Sequence, residues 1–214
     1  MSPESLREHL RLLIVTRPEP TCGRSLPEVV AECLAAGATA VQLRDKRATG
    51  RELVEQAAVL LPLVRSAGAL LLINDRLDVA LSAAADGVHL GPDDLPVEAA
   101  RRISPPGFLV GYSTDDPLAG AAAARAGADY LGVGAVYGTV SKAGLADEAI
   151  GPDRVAKVLA AAGLPGVGIG GVTPDNAAPV FSTGAGIAVI GAVMGAESPG
   201  DAVRRLLAAA AGAP

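Results

Sequence analysis

The sequence predicts a (β/α)8 barrel, also called a TIM barrel, and three observations lead to that fold. Short apolar runs alternate with amphipathic or alanine-rich segments, and no break in composition divides the chain. Continuous apolar strands that alternate with helices are typical of a parallel sheet covered by helices. Eight such units in 214 residues match the closed barrel, whereas the alternative, a doubly wound open sheet, normally has fewer strands for this length.

The predicted strands are short and rich in Val, Leu and Ile. They are RLLIVTR (11–17), TAVQLRD (39–45), ALLLIND (69–75), GVHLG (87–91), FLVGYST (108–114), YLGVGAV (130–136), GVGIGG (166–171) and GIAVIGA (186–192). The predicted helices fall near 25–37, 49–68, 76–85, 96–104, 116–127, 152–163, 173–184 and 200–212. We therefore expect one domain over residues 1–214, with the barrel core at about 10–195.

Local signals support the predicted helix ends. Ser25 and Glu28 have the spacing of a capping box, and Thr173 and Ser198 precede prolines as helix N-caps do. Glycines stand where helices should stop, as at Gly127 and Gly163.

The composition excludes several classes of protein. Half of the residues are hydrophobic, which excludes disorder, and the net charge of −5 without a basic block argues against nucleic acid as the main partner. Two cysteines, Cys22 and Cys33, are too few for a disulfide framework, so a cytoplasmic location is expected. No apolar stretch is long enough to span a bilayer, and we do not expect the first residues to act as a signal peptide.

Polar residues gather where the predicted strands end. In a barrel of this kind, function resides at the carboxyl ends of the strands and in the loops that follow them. In chain order these ends carry Gln42, Arg44 and Lys46, then Asn74 and Asp75, Asp93 and Asp94, Ser113 and Thr114, Thr139, Ser141 and Lys142, and finally Gly170, Gly171 and Gly191.

This set suits phosphorylated ligands. Three cations, Arg44, Lys46 and Lys142, and two carboxylates, Asp75 and Asp94, around one mouth are suited to a polyphosphate held through Mg²⁺. The glycine-rich ends of strands 7 and 8 expose backbone N–H groups, where barrels often bind a phosphate. The sequence thus predicts a metal-assisted anionic subsite over strands 2 to 6 and a monophosphate subsite at strands 7 and 8.

Single residues also have simpler interpretations. Asp75 could cap the helix that follows it, and a Gly-Gly pair is often only a tight turn. His89 lies inside a short strand, and we interpret it as structural. No Ser-His-Asp catalytic triad can be identified in the sequence. Two histidines with two distant cysteines do not make a zinc site.

Several segments together resemble one enzyme family. VQLRDK, INDRLDVALSAAADGVHLGPDDLP, GADYLGVGAVYGTVSK and GIGGVTPDNAAPV are similar, in the same order and spacing from about residue 10 to 195, to the thiamine phosphate synthase (thiamine-phosphate pyrophosphorylase) family. The resemblance implies a (β/α)8 barrel that joins an aminopyrimidine methyl diphosphate to a thiazole phosphate and releases pyrophosphate. It implies a dissociative mechanism, in which the pyrimidine stabilises a methylene carbocation and the thiazole nitrogen captures it.

The resemblance also implies roles for residues of this chain. Gln42 would contact the pyrimidine; Arg44, Lys46, Asn74, Ser113 and Lys142 would hold its diphosphate; Asp75 and Asp94 would bind Mg²⁺; and Thr139, Ser141, Gly171, Ile190 and Gly191 would bind the thiazole phosphate. Arg44, Lys46 and Lys142 would act in catalysis by stabilising the departing pyrophosphate. The expected partners are these small molecules, with neither nucleic acid nor membrane, and a homodimer is left open.

The chain departs from the family at three places. It has Pro92 where a Gln is frequent, Thr114-Asp115-Asp116 where a His often follows the Ser of strand 5, and Gly191 where a Ser often ends the strand 8 phosphate site. Two other functions compete. A thiazole tautomerase would share the barrel but would need a proton-transferring group and no diphosphate set, and a non-catalytic phosphate-binding barrel would have no use for Asp75, Asp94 and Lys142.

Overall fold

The protein forms a closed barrel of eight parallel strands, which confirms the predicted fold class. The computed structural model describes residues 1–18, 23–138 and 149–211. Each strand pairs with the next in chain order, and β1 closes the ring by pairing with β8, where Leu13 is opposite Ala188. Because all strands are parallel, their carboxyl ends emerge at the same end of the barrel.

The elements have the following bounds. The strands are β1 Leu12–Val15, β2 Ala40–Leu43, β3 Leu70–Asn74, β4 Gly87–Leu90, β5 Leu109–Ser113, β6 Tyr130–Gly134, β7 Gly166–Ile169 and β8 Gly186–Val189. The helices are α1 Pro3–His9, α2 Leu26–Ala35, α3 Gly50–Ser66, α4 Leu77–Ser82, α5 Val97–Ile103, α6 Pro117–Ala126, α7 Pro152–Ala162, α8 Ala178–Phe181, α9 Gly191–Met194 and α10 Pro199–Ala211.

Alternation along each strand divides the apolar residues into two clusters. One set of strand side chains packs inside the barrel: Leu13, Val15, Ala40, Leu70, Leu72, Leu109, Tyr130, Val167 and Ala188. Leu6 and Leu10, from α1 and the residue after it, belong to the same cluster. Helix α1 therefore contributes apolar side chains to the packing of the barrel interior, although the sequence analysis did not predict this helix.

The second and larger cluster lies between the sheet and the surrounding helices. It includes the alternate strand residues, such as Ile14, Val41 and Leu71, and helix residues such as Val30 and Leu60. Burial of aliphatic surface on both faces of the sheet is the main favourable contribution to folding in such a barrel. The core can therefore be built from Val, Leu, Ile and Ala with almost no aromatic residues.

Several predicted helix ends are confirmed. Ser25 and Glu28 form the capping box at α2, and Gly127 and Gly163 are left-handed C-caps of α6 and α7. The prediction of a helix over 173–184 is wrong in its extent, because α8 covers only Ala178–Phe181. Thr173 is not its N-cap: the side-chain oxygen of Asn176 accepts from the N–H of Thr173 at 2.7 Å, and this turn delays the start of the helix.

The helices of the described segments are too short or too polar to cross a bilayer. This finding concerns residues 1–18, 23–138 and 149–211 only.

Candidate functional site

The polar residues predicted at the strand ends lie at one mouth of the barrel, because each of them ends or follows a parallel strand. The predicted Thr139, Ser141 and Lys142 lie outside the described residues. The other predicted residues are all described and come from β2, β3, β4, β5, β7 and β8 or from the loops that follow them. Closure of the barrel, and not closeness in sequence, brings them to one rim.

The end of β2 supplies an amide and a guanidinium. Gln42 is only 4% exposed, so its amide lies within the barrel rather than in solvent. The backbone of Arg44 is held on both sides by Thr16: its N–H donates to Thr16 Oγ1 at 2.9 Å, and that hydroxyl donates to the Arg44 carbonyl at 3.3 Å. Arg44 and Arg17 both line a cavity of about 220 Å³.

Arg17 is a cation that the sequence analysis did not assign. It follows β1, and its Nη2 donates to the carbonyl of Met194 at 3.4 Å. Its Nε is buried without a hydrogen-bond partner among the described residues. The guanidinium thus joins the loop after β1 to the end of α9, which begins at Gly191.

Two carboxyl groups and an ammonium group meet after β3 and β4. Nζ of Lys46 lies 3.4 Å from Oδ2 of Asp75. Burial raises the pKa of Asp94, and Asp75 raises it further through a hydrogen bond and charge repulsion, whereas the N–H of Gly91 and the charge of Lys46 lower it. The predicted pair of carboxylates is therefore brought together, as the sequence analysis expected.

Backbone geometry holds these carboxyl groups at the mouth. Asp75 has φ 63°, a left-handed conformation that is uncommon outside glycine, and its N–H donates to the carbonyl of His89 at 2.8 Å. Helix α4 has Arg76 as its N-cap without a side-chain hydrogen bond, so Asp75 does not cap it. Oδ2 of Asp94 accepts from the N–H of Gly91 at 2.6 Å, which closes the turn around Pro92.

This arrangement fits a divalent cation that is also bound by a phosphate. Adjacent carboxylates raise each other's energy, and a dication between them would relieve the repulsion that raises the pKa of Asp94. Across residues 1–18, 23–138 and 149–211, no group of three or more His, Cys, Asp or Glu side chains is arranged to hold a metal. Two carboxylates suit Mg²⁺, which keeps waters and takes further oxygens from substrate phosphates.

Ser113 connects the mouth to a buried polar chain that the sequence analysis did not find. Its Oγ lies 2.8 Å from Nε2 of His89, and Nδ1 of that ring lies 2.9 Å from the hydroxyl of Tyr130. The rings stack obliquely with centroids 5.4 Å apart. Strand periodicity could have revealed His89, since its neighbours Val88 and Leu90 pack outward and therefore direct it into the barrel.

The loop after β7 forms a glycine turn at the opposite side of the mouth. Gly170 and Gly171 have φ of 101° and 67°. Nδ2 of Asn176 donates to the Gly171 carbonyl at 3.0 Å, and the hydroxyl of Tyr137 donates to the Asn176 carbonyl at 2.8 Å. The turn is thereby tied to the loop after β6, and Gly171 is exposed.

The end of β8 leaves open space around Gly191. Ile190 is half-buried and packs against the barrel interior, and α9 begins at Gly191. Gly191 is exposed, and a Cβ at this position would meet no atom within 4 Å. Ile190 and Gly191 therefore lie at the mouth beside the residues that follow β1.

The acidic segment after β5 has a structural role in part. Asp116 is the N-cap of α6, and its Oδ1 accepts from the N–H of Leu118 at 3.0 Å. The hydroxyl of Thr114 accepts from the N–H of Asp116 at 3.1 Å. One of the two acidic residues in this departure from the family pattern is thus explained by helix capping.

Comparison with known proteins identifies the family of the chain. A family model described as thiamine monophosphate synthase matches residues 12–193. The chain is 52% identical over 201 residues to a thiamine-phosphate synthase from Natronomonas pharaonis, covering 93% of this chain and 94% of the relative. It is 48% identical to one from Chlorobium luteolum, with 94% and 93% covered.

A solved structure agrees. The thiamine phosphate pyrophosphorylase of Pyrococcus furiosus superposes with a TM-score of 0.87 at 40% identity, over 97% of this chain and 98% of that one. These matches span nearly the whole barrel and include every described residue of the mouth. The chain belongs to the thiamine monophosphate synthase family.

Proposed function

We propose that this chain joins an aminopyrimidine methyl diphosphate to a thiazole phosphate, forming thiamine phosphate and pyrophosphate. The observation that carries this proposal is the placement of two groups of residues at one mouth: Asp75, Asp94 and Lys46 on one side, and the Gly171 turn with Gly191 on the other. Family membership supplies the reaction, which is that of a transferase of an alkyl group.

The diphosphate would bind over β2 to β5. Arg44 and Lys46 supply positive charge, and Asn74 and Ser113 supply neutral hydrogen-bond donors. Asp75 and Asp94 would hold Mg²⁺, which when bound would neutralise charge on the diphosphate and stabilise the departing pyrophosphate. Lys142 is assigned to the same group by the family pattern.

The reaction would break the bond between the pyrimidine methylene carbon and the diphosphate oxygen and form one from that carbon to the thiazole nitrogen. The electron pair of the broken bond leaves with the pyrophosphate. Gln42 would orient the pyrimidine from within the barrel. Its side chain is shielded from water there, since only 4% of the residue is exposed. No side chain of the protein forms a bond to substrate, so rate acceleration comes from electrostatic stabilisation and positioning.

The thiazole phosphate would bind at β7 and β8. Backbone N–H groups of Gly171 and Gly191 would donate to its oxygens, beside Ile190. Thr139 and Ser141 are assigned here by the family pattern. The two substrates would thus lie side by side across the mouth.

The direct test is to mix the purified chain with both phosphorylated substrates and to measure thiamine phosphate and pyrophosphate. Formation of both products in equal amounts supports the proposal. Interconversion of thiazole phosphate isomers without pyrophosphate release would identify a tautomerase instead. Binding of either ligand without any conversion would indicate a non-catalytic barrel.

The metal assignment has its own test. Asp75→Asn and Asp94→Asn should each raise the Mg²⁺ concentration needed for half-maximal activity. Asp93→Asn is the matched control, because Asp93 is exposed and adjacent to Asp94. If both site variants kept the parent's metal dependence, Asp75 and Asp94 would not be the ligands.

A further inference from the structure

The buried chain of polar groups beneath Ser113 has a definite direction. Tyr130 has no exposed surface, so its hydroxyl proton needs an acceptor within the protein. Nδ1 of His89 lies 2.9 Å from that hydroxyl. The Tyr130 O–H therefore donates to Nδ1 of His89.

This direction determines the tautomer of His89. A neutral imidazole has one nitrogen that donates and one that accepts. Because Nδ1 accepts from Tyr130, Nε2 carries the proton and donates to Oγ of Ser113 at 2.8 Å. The hydroxyl proton of Ser113 is therefore free to point away from His89. With the opposite direction, Ser113 would instead donate to His89 and present only lone pairs to the mouth.

The sequence makes room for this pair of rings. A Cβ at position 111 would come within 2.2 Å of Cζ of Tyr130, and one at position 132 within 3.0 Å of Cε1 of His89. Gly111 and Gly132 therefore permit a histidine and a tyrosine inside a barrel whose other apolar side chains are aliphatic. Tyr130 has no exposed surface, so its hydroxyl cannot contact a ligand directly.

We propose that Tyr130 and His89 are positioning residues, which fix the Ser113 hydroxyl as a hydrogen-bond donor toward the diphosphate. The hydrogen bonds from Tyr130 through His89 to Ser113 form this relay. This inference rests on the proposed function for the identity of the ligand, but the tautomer of His89 does not depend on it.

The tautomer can be measured on the unliganded protein. Two-bond proton–nitrogen correlation spectra of the full chain with ¹⁵N-labelled histidine should be recorded above the ordinary pKa of histidine. The chain has only two histidines, and His9 is an internal reference. Nδ1 of His9 lies 2.8 Å from the carbonyl of Ser5 and must donate to it, so His9 should show the Nδ1–H form. His89 should show the Nε2–H form, and His9→Gln assigns the signals.

The function of the relay is tested with Mg²⁺ and inorganic pyrophosphate as the probe, by calorimetry. Tyr130→Phe should weaken pyrophosphate binding by about threefold to tenfold, the range expected for one hydrogen bond. In a Ser113→Ala background the same substitution should have no further effect, because its action passes through Ser113. Tyr112→Phe, on the strand that also carries Ser113, is the control and should leave binding unchanged.

Several results would overturn the proposal. An Nδ1–H or doubly protonated His89 would contradict the direction of the relay, whether or not Tyr130→Phe folds. If Tyr130→Phe weakened pyrophosphate binding by the same factor in the Ser113→Ala background as in the wild type, Tyr130 would not act through Ser113 but through general stability. The expected tautomer together with no pyrophosphate binding to the wild type would support the relay and contradict the proposed function instead.

Discussion

Nζ of Lys46 lies 3.4 Å from Oδ2 of Asp75, so a single ammonium group faces a site that carries two carboxyl groups. The Lys46 side chain is 58% exposed, so solvent screens its charge. It therefore neutralises the Asp75 and Asp94 carboxyl groups only in part. The raised pKa of Asp94 records the remaining repulsion together with the cost of burial. Positive charge placed here would therefore reduce the repulsion within the folded protein.

The first prediction is that Asp94→Asn stabilises the unliganded protein at neutral pH. Because the folded-state pKa of Asp94 is raised, ionisation of Asp94 disfavours the folded state, and this cost grows as pH rises through that pKa. Asn can still accept from the N–H of Gly91. Melting temperatures without Mg²⁺ should be higher for the variant near neutral pH and equal to the wild type in acid. A constant difference at all pH values would contradict the electrostatic cause.

The second prediction is that Gly191→Ser tightens thiazole phosphate binding by about tenfold. A hydrogen bond to a charged group contributes about 1.5–3 kcal/mol, part of which water already supplies. Gly191 has no positive φ and open space around a Cβ, so the substitution should not lower the melting temperature. Dissociation constants for both substrates provide the measurement. Weaker thiazole phosphate binding at unchanged stability would show that β8 does not hold this phosphate.

The third prediction concerns the glycine turn after β7. Gly171→Ala should abolish most thiazole phosphate binding and destabilise the protein, because the Cβ would lie 2.4 Å from the Gly138 carbonyl oxygen and φ is 67°. Gly184→Ala is the matched control, since φ there is 79° but no atom lies within 4 Å. It should cost only the conformational strain, about 1 kcal/mol. Equal effects of the two substitutions on urea unfolding would contradict the role of the clash.

The fourth prediction is a stabilising substitution far from the mouth. Ala84 has φ 51°, a left-handed conformation that costs a non-glycine residue about 1 kcal/mol. Ala84→Gly should therefore raise the free energy of unfolding by about 0.5–1 kcal/mol without changing activity. Ala83→Gly is its control, because Ala83 has a right-handed conformation with φ −84°, and it should destabilise. Urea denaturation of both variants measures the difference.

The fold class could be predicted from the alternation of strands and helices. The spacing of apolar residues that distinguishes a strand from a helix is a local property of the chain. It also located most of the mouth, since the polar residues that end parallel strands must share one rim. The prediction failed at the start of α8. Thr173-Pro174 suggested a helix start, but the side chain of Asn176 accepts from the N–H of Thr173 and forms a turn there instead. The role of Asp116 as the N-cap of α6 is equally local, but it was not predicted.

The features of the mouth that could not be predicted depend on contacts between residues distant in sequence. His89 and Tyr130 are 41 residues apart, and no periodicity in either strand indicates that their side chains share a hydrogen bond. The same holds for Lys46 beside Asp75, for Arg17 beside Met194, and for the left-handed backbone of Asp75. The order of residues along the chain was enough to predict most of the chemical groups that reach the mouth, but not Arg17. Barrel closure and register determined which of them touch, because those distances depend on the strand pairing of the whole ring.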